Sequence, residues 1–280
     1  MNFRIARQAG QQSLRFGLPL LASFSVLVPH LPARAYPEFQ VSVNFPAPPS
    51  DQGGPKRTVG GGSRSDETCL TAGETITPVT VLAPINNQVS TVAADPTFYI
   101  YLPQTTAAAI ELIISPVADS PNKDAARAHI HHEKVLPSEL RQSLAEEPTL
   151  LKIAVENTGL EVGKSYEWSF SLLCTTTSVE HAAAIGGRIV RVEAPELPND
   201  LSNVDPSDEE KTLALANAYA EAGIWVETVE LVERLKDSQP EEWEGLLRSV
   251  IRPDRDRDMK SVKLDDVLRA PVQTLTIELE

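Results

Sequence analysis

The chain of 280 residues is long enough for one large domain or two small ones with a real core. Its formal net charge of -14 argues against a nucleic-acid or anionic-lipid partner. No uninterrupted apolar run reaches the ~18 residues a spanning helix needs, so no membrane span is expected.

The first 35 residues read as a secretory signal. Arg4, Arg7 and Arg15 make a basic start, Leu18 to Leu31 is a short apolar run, and Ala33-Arg34-Ala35 supplies small residues at a cleavage site. Cleavage is expected after Ala35, which places the mature protein in the periplasm or outside the cell. No Cys follows the apolar run, so a lipid anchor is not indicated.

Residues 36–68 are rich in Pro and Gly and lack apolar periodicity, which reads as a linker. Gly60-Gly61-Gly62-Ser63 lacks the Lys-Ser/Thr and the preceding strand of a P-loop. It also lacks the Gly spacing of a hydrolase nucleophile elbow. Lys56, Arg57 and Arg64 make this linker basic against an acidic body, a charge match for lying along the protein's own surface.

Residues 69–195 carry strand signals. Ile76–Leu82, Val89–Val92, Thr97–Leu102, Ile110–Ser115, Leu150–Val155, Gly163–Cys174 and Gly187–Ala194 are short apolar or alternating runs separated by turn residues. In the run GKSYEWSFSLLC, Tyr166, Trp168, Phe170, Leu172 and Cys174 fall on every second residue. They form one face of a half-buried strand, with Tyr166, Trp168 and Phe170 as its core. The expected fold is an antiparallel β-sandwich of immunoglobulin or fibronectin type. Leu160-x-x-Gly163-x-x-Tyr166 has the spacing of a tyrosine corner, in which a Tyr hydroxyl bonds back to the preceding turn.

Cys69 and Cys174 are the only cysteines, and in an exported protein an even pair is expected to bond. The loop closed would be about 105 residues, worth roughly 4–5 kcal/mol in the chain-entropy model. The chemistry-bearing cluster is His129, His131, His132 and Glu133. On a strand, His129 and His131 share a face about 7 Å apart, which suits a transition metal with Glu133 as a third ligand. A solvated edge strand or loop is the alternative, and no cofactor is otherwise expected. His181, read as lying in a loop before Gly186-Gly187, belongs to no triad motif.

Residues 196–252 read as a helical appendage. Ser207-x-x-Glu210 is a capping box, Leu213 to Ala220 has helical periodicity, and Gly223 is a stop. A second helix follows from Trp225 to Lys236 and a third from Glu241 to Val250. LALANAYAEAGIWVETVELVERL is like one hairpin of a tetratricopeptide repeat, too few for a solenoid. Trp225 and Trp243 are expected in the core, where the hairpin packs on the sandwich or on a partner. Residues 253–280 read as an acidic polar tail. Asp254-x-Asp256-x-Asp258 begins like a calcium loop, but Met259 stands where Gly is needed. Thr274–Leu279 alternates like an edge strand.

Together, GPKRTVGGGSR (Gly54 to Arg64), Cys69, DPTFYIYLP (Asp95 to Pro103), LEVGKSYEWSFSLLC (Leu160 to Cys174) and AEAGIW (Ala220 to Trp225) resemble the cyanobacterial exported family known as domain of unknown function 928. The resemblance covers about Phe45 to Ile251 and implies no catalytic residues. The function expected is a non-enzymatic protein-interaction or structural module of the cell envelope with an envelope protein as partner. The alternatives are a metal-binding or hydrolytic enzyme using His129–Glu133, and a carbohydrate-binding sandwich presenting Tyr99 and Tyr101. N-terminal sequencing of the exported protein is expected to begin at Tyr36, and an intact Met1 would refute the signal.

Overall fold

The structure, a computed structural model, describes residues 43, 45–46, 61–62, 69–70, 76–84, 88–117, 130–177, 181–251 and 262–278, all within one unit spanning Val41–Glu280. The signal segment 1–35, His129 and the run Asp254–Asp258 lie outside them. The strands and helices in chain order are β1 (Gly61–Gly62), β2 (Thr80–Val81), β3 (Gln88–Thr91), β4 (Thr97–Leu102), β5 (Ala109–Pro116), β6 (Ile130–Val135), α1 (Ser138–Glu146), β7 (Thr149–Glu156), β8 (Ser165–Leu173) and β9 (His181–Arg191). Then come α2 (Glu209–Glu221), α3 (Trp225–Arg234), α4 (Pro240–Val250), α5 (Leu264–Arg269) and β10 (Val272–Glu278).

The strands make two sheets. One runs β1-β9-β8-β5-β6, with β3 also on β9; the other runs β10-β7-β4-β2. They meet face to face where Phe98 of β4 packs on Trp168 of β8, ring centroids 5.0 Å apart. Tyr166, Trp168, Phe170 and Leu172 are all buried, as the alternation requires. The alternation fails at the end of β8, where an irregularity between Leu172 and Leu173 shifts the register and both are buried.

The sheets are mixed, not antiparallel as expected. β3 runs parallel to β9 and β10 runs parallel to β7. Both parallel pairs join segments far apart in sequence, and period-2 patterning carries no information about strand direction. Four elements are additional to the strands and helices read from the sequence: β1, β6, α1 and α5. β6 pairs with β5, and α1 places Leu140 and Leu144, one turn apart, in the core. Gly61–Gly62, read as part of a tether, pairs with Ala184 and Ala183 of β9. His181 begins β9 and is not in a loop. The tail supplies α5, which was not expected, and the edge strand β10, as the Thr274–Leu279 alternation suggests; Leu275 and Ile277 are buried and Thr274, Thr276 and Glu278 exposed.

The pair β4–β7 is apolar on both faces. Phe98, Tyr99, Ile100, Tyr101 and Leu102 are all buried, as are Leu150, Leu151 and Ile153. Each large side chain buried this way is worth ~1.5–3 kcal/mol. The other sheet covers one face, and the helices cover the other. Lys152 of β7 sits 3.6 Å from Glu230 and 3.6 Å from Glu233 of α3, with its ammonium 5.4 Å from the Tyr99 ring centre.

Helix ends follow local chemistry. Asp208 caps α2, its side chain accepting from the Lys211 N–H at 3.1 Å; Ser207 instead donates to Asp205, so the cap lies one residue later than expected. Gly223, at φ 71°, ends the helix in the left-handed region. Pro240 opens α4 at its first turn.

One close approach is decisive for β8–β9 pairing. A Cβ at Gly186 would lie 2.7 Å from the carbonyl oxygen of Trp168, a backbone atom that cannot swing away. Gly186→Ala is expected to cost about 1–3 kcal/mol of stability as overpacking, read from the midpoint of urea unfolding. An unchanged midpoint would refute that approach.

Candidate functional site

Cys69 and Cys174 form a disulfide with Cα atoms 5.3 Å apart, closing a separation of 105 residues. Around it, the Cys69 carbonyl accepts from the Thr106 N–H and the Thr105 hydroxyl, each at 2.9 Å. The bridge therefore pins the segment before β2 to the end of β8, the middle strand of its sheet. Tyr166 makes the bond its spacing suggests: its hydroxyl oxygen accepts from the Glu161 N–H at 3.0 Å. Gly163, at φ 77°, makes the intervening turn, and its N–H donates to the Arg191 carbonyl at 2.7 Å. Arg191 closes the same corner, donating to the carbonyls of Val92 and Leu160.

The predicted metal cluster is only partly placed. In backbone register, His131, His132 and Glu133 of β6 stand opposite Ile113, Leu112 and Glu111. Their side chains and all of His129 lie outside the described residues. Among the described residues no three His, Cys, Asp or Glu side chains are grouped to hold a metal ion. Asp265, which stands at the twelfth place counted from Asp254 and so where a calcium loop has its last acid, faces Arg269 at 3.4 Å.

Tyr99 and Tyr101 do not form an exposed platform. Each is 1% exposed, because the helices cover that face of the sheet. Burial first, and then the charges of Glu230 and Glu233, hold the Tyr99 phenol well above its ordinary range.

A cleft of about 430 Å³ opens where β4 ends and β7 and β10 begin. Tyr101 and Gln104 form one wall, and Glu147 and Pro148 a second. Lys263, Asp266 and Arg269 come from α5 and the residue preceding it. Asp266 accepts from the Thr77 hydroxyl at 2.6 Å, and the Thr77 oxygen accepts from the Lys263 N–H at 3.0 Å. Burial and the Asp266 charge push the Tyr101 phenol up to about 12, so it is a protonated donor at neutral pH. The cleft offers a phenol, an amide, two cations and two carboxylates. It suits hydrogen bonding to a small polar molecule, and its described lining contains no Ser, Cys or His to act as a nucleophile or imidazole base. No sequence motif marks it, because its walls come from segments as far apart in the chain as Ile76 and Pro271, brought together by the β10–β7 pairing and the Thr77 hydrogen bonds.

The second feature is the junction between sheets and helices. Trp225 is buried and its indole N–H donates to the Leu82 carbonyl at 2.9 Å. Ser90 of β3 donates to the Gly223 carbonyl. Glu227, in the first turn of α3, takes three donors on one oxygen: the Thr91 hydroxyl at 2.7 Å, the Val92 N–H at 2.9 Å and the Ala93 N–H at 3.2 Å. On α4, Glu242 accepts from the Val43 N–H at 2.9 Å. Burial raises both carboxyls above their ordinary value, partly offset by these donors.

A family model described as Domain of Unknown Function (DUF928) matches residues 59–254. The chain belongs to the DUF928 family. No curated protein and no solved structure matches it. The DUF928 match takes in both cysteines, the helical hairpin, Glu227 and Glu242, but neither Val43–Phe45 nor α5 and β10. One wall of the cleft therefore lies beyond it.

The junction has a pH signature. A carboxyl with a raised folded value favours the protonated folded state, so its contribution is full below the ordinary 4.5 and is lost as pH rises through the folded value. Glu227→Gln keeps an acceptor oxygen and removes that titration. The stability difference between wild type and this variant is expected to shift against the wild type as pH rises above 4.5, measured by chemical unfolding at a series of pH values. A difference constant with pH would count against a raised Glu227.

Proposed function

We propose that this DUF928 protein is exported and serves as a non-enzymatic binding module of the cell envelope, with an envelope protein as its partner. The observation that carries this is the Cys69–Cys174 bond joining the domain entry to its central strand. Such bonds persist in oxidising compartments. The basic start, the Leu18–Leu31 run and Ala33-Arg34-Ala35 supply a route there. No helix among the described residues is long and apolar enough to cross a membrane.

The binding half of the proposal draws on the helical layer. Its inner side is held to the sheets by Trp225, Glu227 and the Lys152 pairs. Its outer side presents Glu209, Glu210, Glu221 and Glu241 to solvent. A rigid acidic surface suits a partner with a complementary basic face. The polar cleft beside Tyr101 favours a second reading, a small polar ligand bound without chemistry.

Two measurements test the proposal together. Thiol titration of denatured protein taken from the exported fraction is expected to find no free thiol; two free thiols would defeat the export half. Cross-linking in native envelopes, followed by affinity capture of the tagged protein and mass spectrometry, is expected to recover one stoichiometric protein that charge reversal at Glu209 and Glu210 releases. Recovery of none would defeat the binding half.

A further inference from the structure

The helical layer holds a piece of its own chain as it would hold a bound peptide. Val43 is fully buried, and its N–H reaches Glu242 from 199 residues away in sequence. Phe45 is 7% exposed and stands edge-on to Trp225, with ring centroids 5.1 Å apart and planes at 85°. Pro46, the next residue, is exposed.

Ordinary core packing does not account for the carboxylate. Glu242 is 1% exposed, and its Oε1 has no hydrogen-bond partner among the described residues. A buried acceptor left empty costs free energy, and a carboxylate has room for several donors. Val43 fills one oxygen only. The groove is therefore better matched to a segment that donates twice than to the one it holds. Glu242 and Trp225 lie within the DUF928 match, whereas Val43 and Phe45 lie before it. The stretch from Pro46 to Gly60, rich in Pro and Gly, can span up to ~50 Å when extended, so it is long enough for the segment to leave the groove.

We infer that this groove is a docking site for an extended segment of a partner protein, with an apolar side chain two residues ahead of an aromatic one and two donors for Glu242, and that Val43–Phe45 is its resident, exchangeable occupant. This rests on the chain being a binding module and names the chemistry of what it binds. Trp225 supplies the aromatic contact and Glu242 reads the main chain, the division of labour found where peptides are held by backbone and pockets.

The test uses purified protein carrying Phe45→Ala, which loosens the resident segment, and a fluorescein-labelled peptide of sequence QVSVNFPA, matching Gln40 to Ala47. Fluorescence anisotropy is expected to show saturable binding. Wild-type protein is expected to bind at least tenfold more weakly, because its tethered segment competes. A peptide with Ala in place of its Phe is expected to lose at least tenfold as well. Absence of binding by a Phe45→Ala protein that melts like wild type overturns the inference. Equal binding by wild type overturns it too, since the peptide would then sit elsewhere. A Phe45→Ala protein with no cooperative melt also overturns it, since Phe45 would then be core and not occupant. A partner captured from envelopes alongside a failed titration keeps the binding module and removes only this groove.

Discussion

The strand pair β4–β7 has no polar face. TFYIYL and LLKIAV bury side chains on both sides, and water has to be kept from both. The six-stranded sheet covers one side through contacts such as Phe98 on Trp168. The other is left to the helices, so α2 to α4 are a third layer of the fold. A near-continuous apolar strand is the pattern of a sheet covered on both faces, and it explains why Tyr99 and Tyr101 are sealed instead of displayed.

The third layer is held by charge as well as by apolar area. Glu227, Glu230, Glu233 and Glu242 all point from the helices into the junction, where backbone N–H groups, the Thr91 hydroxyl and Lys152 meet them. Desolvating these carboxylates is costly, and the donors offset only part of it. What such contacts provide is position. A helix slid by one turn along the sheet would leave Glu227 without its three donors and Lys152 without its acids. Trp225, anchored through its indole N–H, fixes the same register from the apolar side.

Much of this was legible in the sequence for a physical reason: strong periodicity reports a buried face. The β8 alternation, the three helices after residue 207 and the Tyr166 corner all follow from local spacing. So did the pairing of Cys69 with Cys174, from parity and compartment. What was not legible depends on partners distant in the chain. Strand direction is invisible to period-2 patterning, so the parallel β3–β9 and β10–β7 pairs leave no trace in it. Thr97–Leu102 reads as half-buried because its tyrosines carry hydroxyls, and only a covering helix shows that both faces are dry. The cleft and the Glu242 groove have no signal at all, since each gathers residues from opposite ends of the chain.

The bounds of the family match bear on where this chain's own character lies. Residues 59–254 contain both sheets except β10, and the helical hairpin. Two sets of described residues fall outside the match: Val43 with Phe45, against Glu242 and Trp225 of the helices, and α5–β10, against α4 and β7. A chain limited to 59–254 would leave one side of Tyr101 and the ring of Trp225 uncovered. These pieces close apolar surface of the matched region, each beside polar groups: Tyr101 and Asp266 in one case, Glu242 in the other. Closure by a detachable segment and closure by a strand differ in reversibility. β10 is joined to β7 by a seven-residue register and two buried side chains, whereas among the described residues Val43 and Phe45 are held by one main-chain hydrogen bond, one ring contact and the burial of their own two side chains. Of the two surfaces, the one over Trp225 and Glu242 is therefore the one that opens at lower cost.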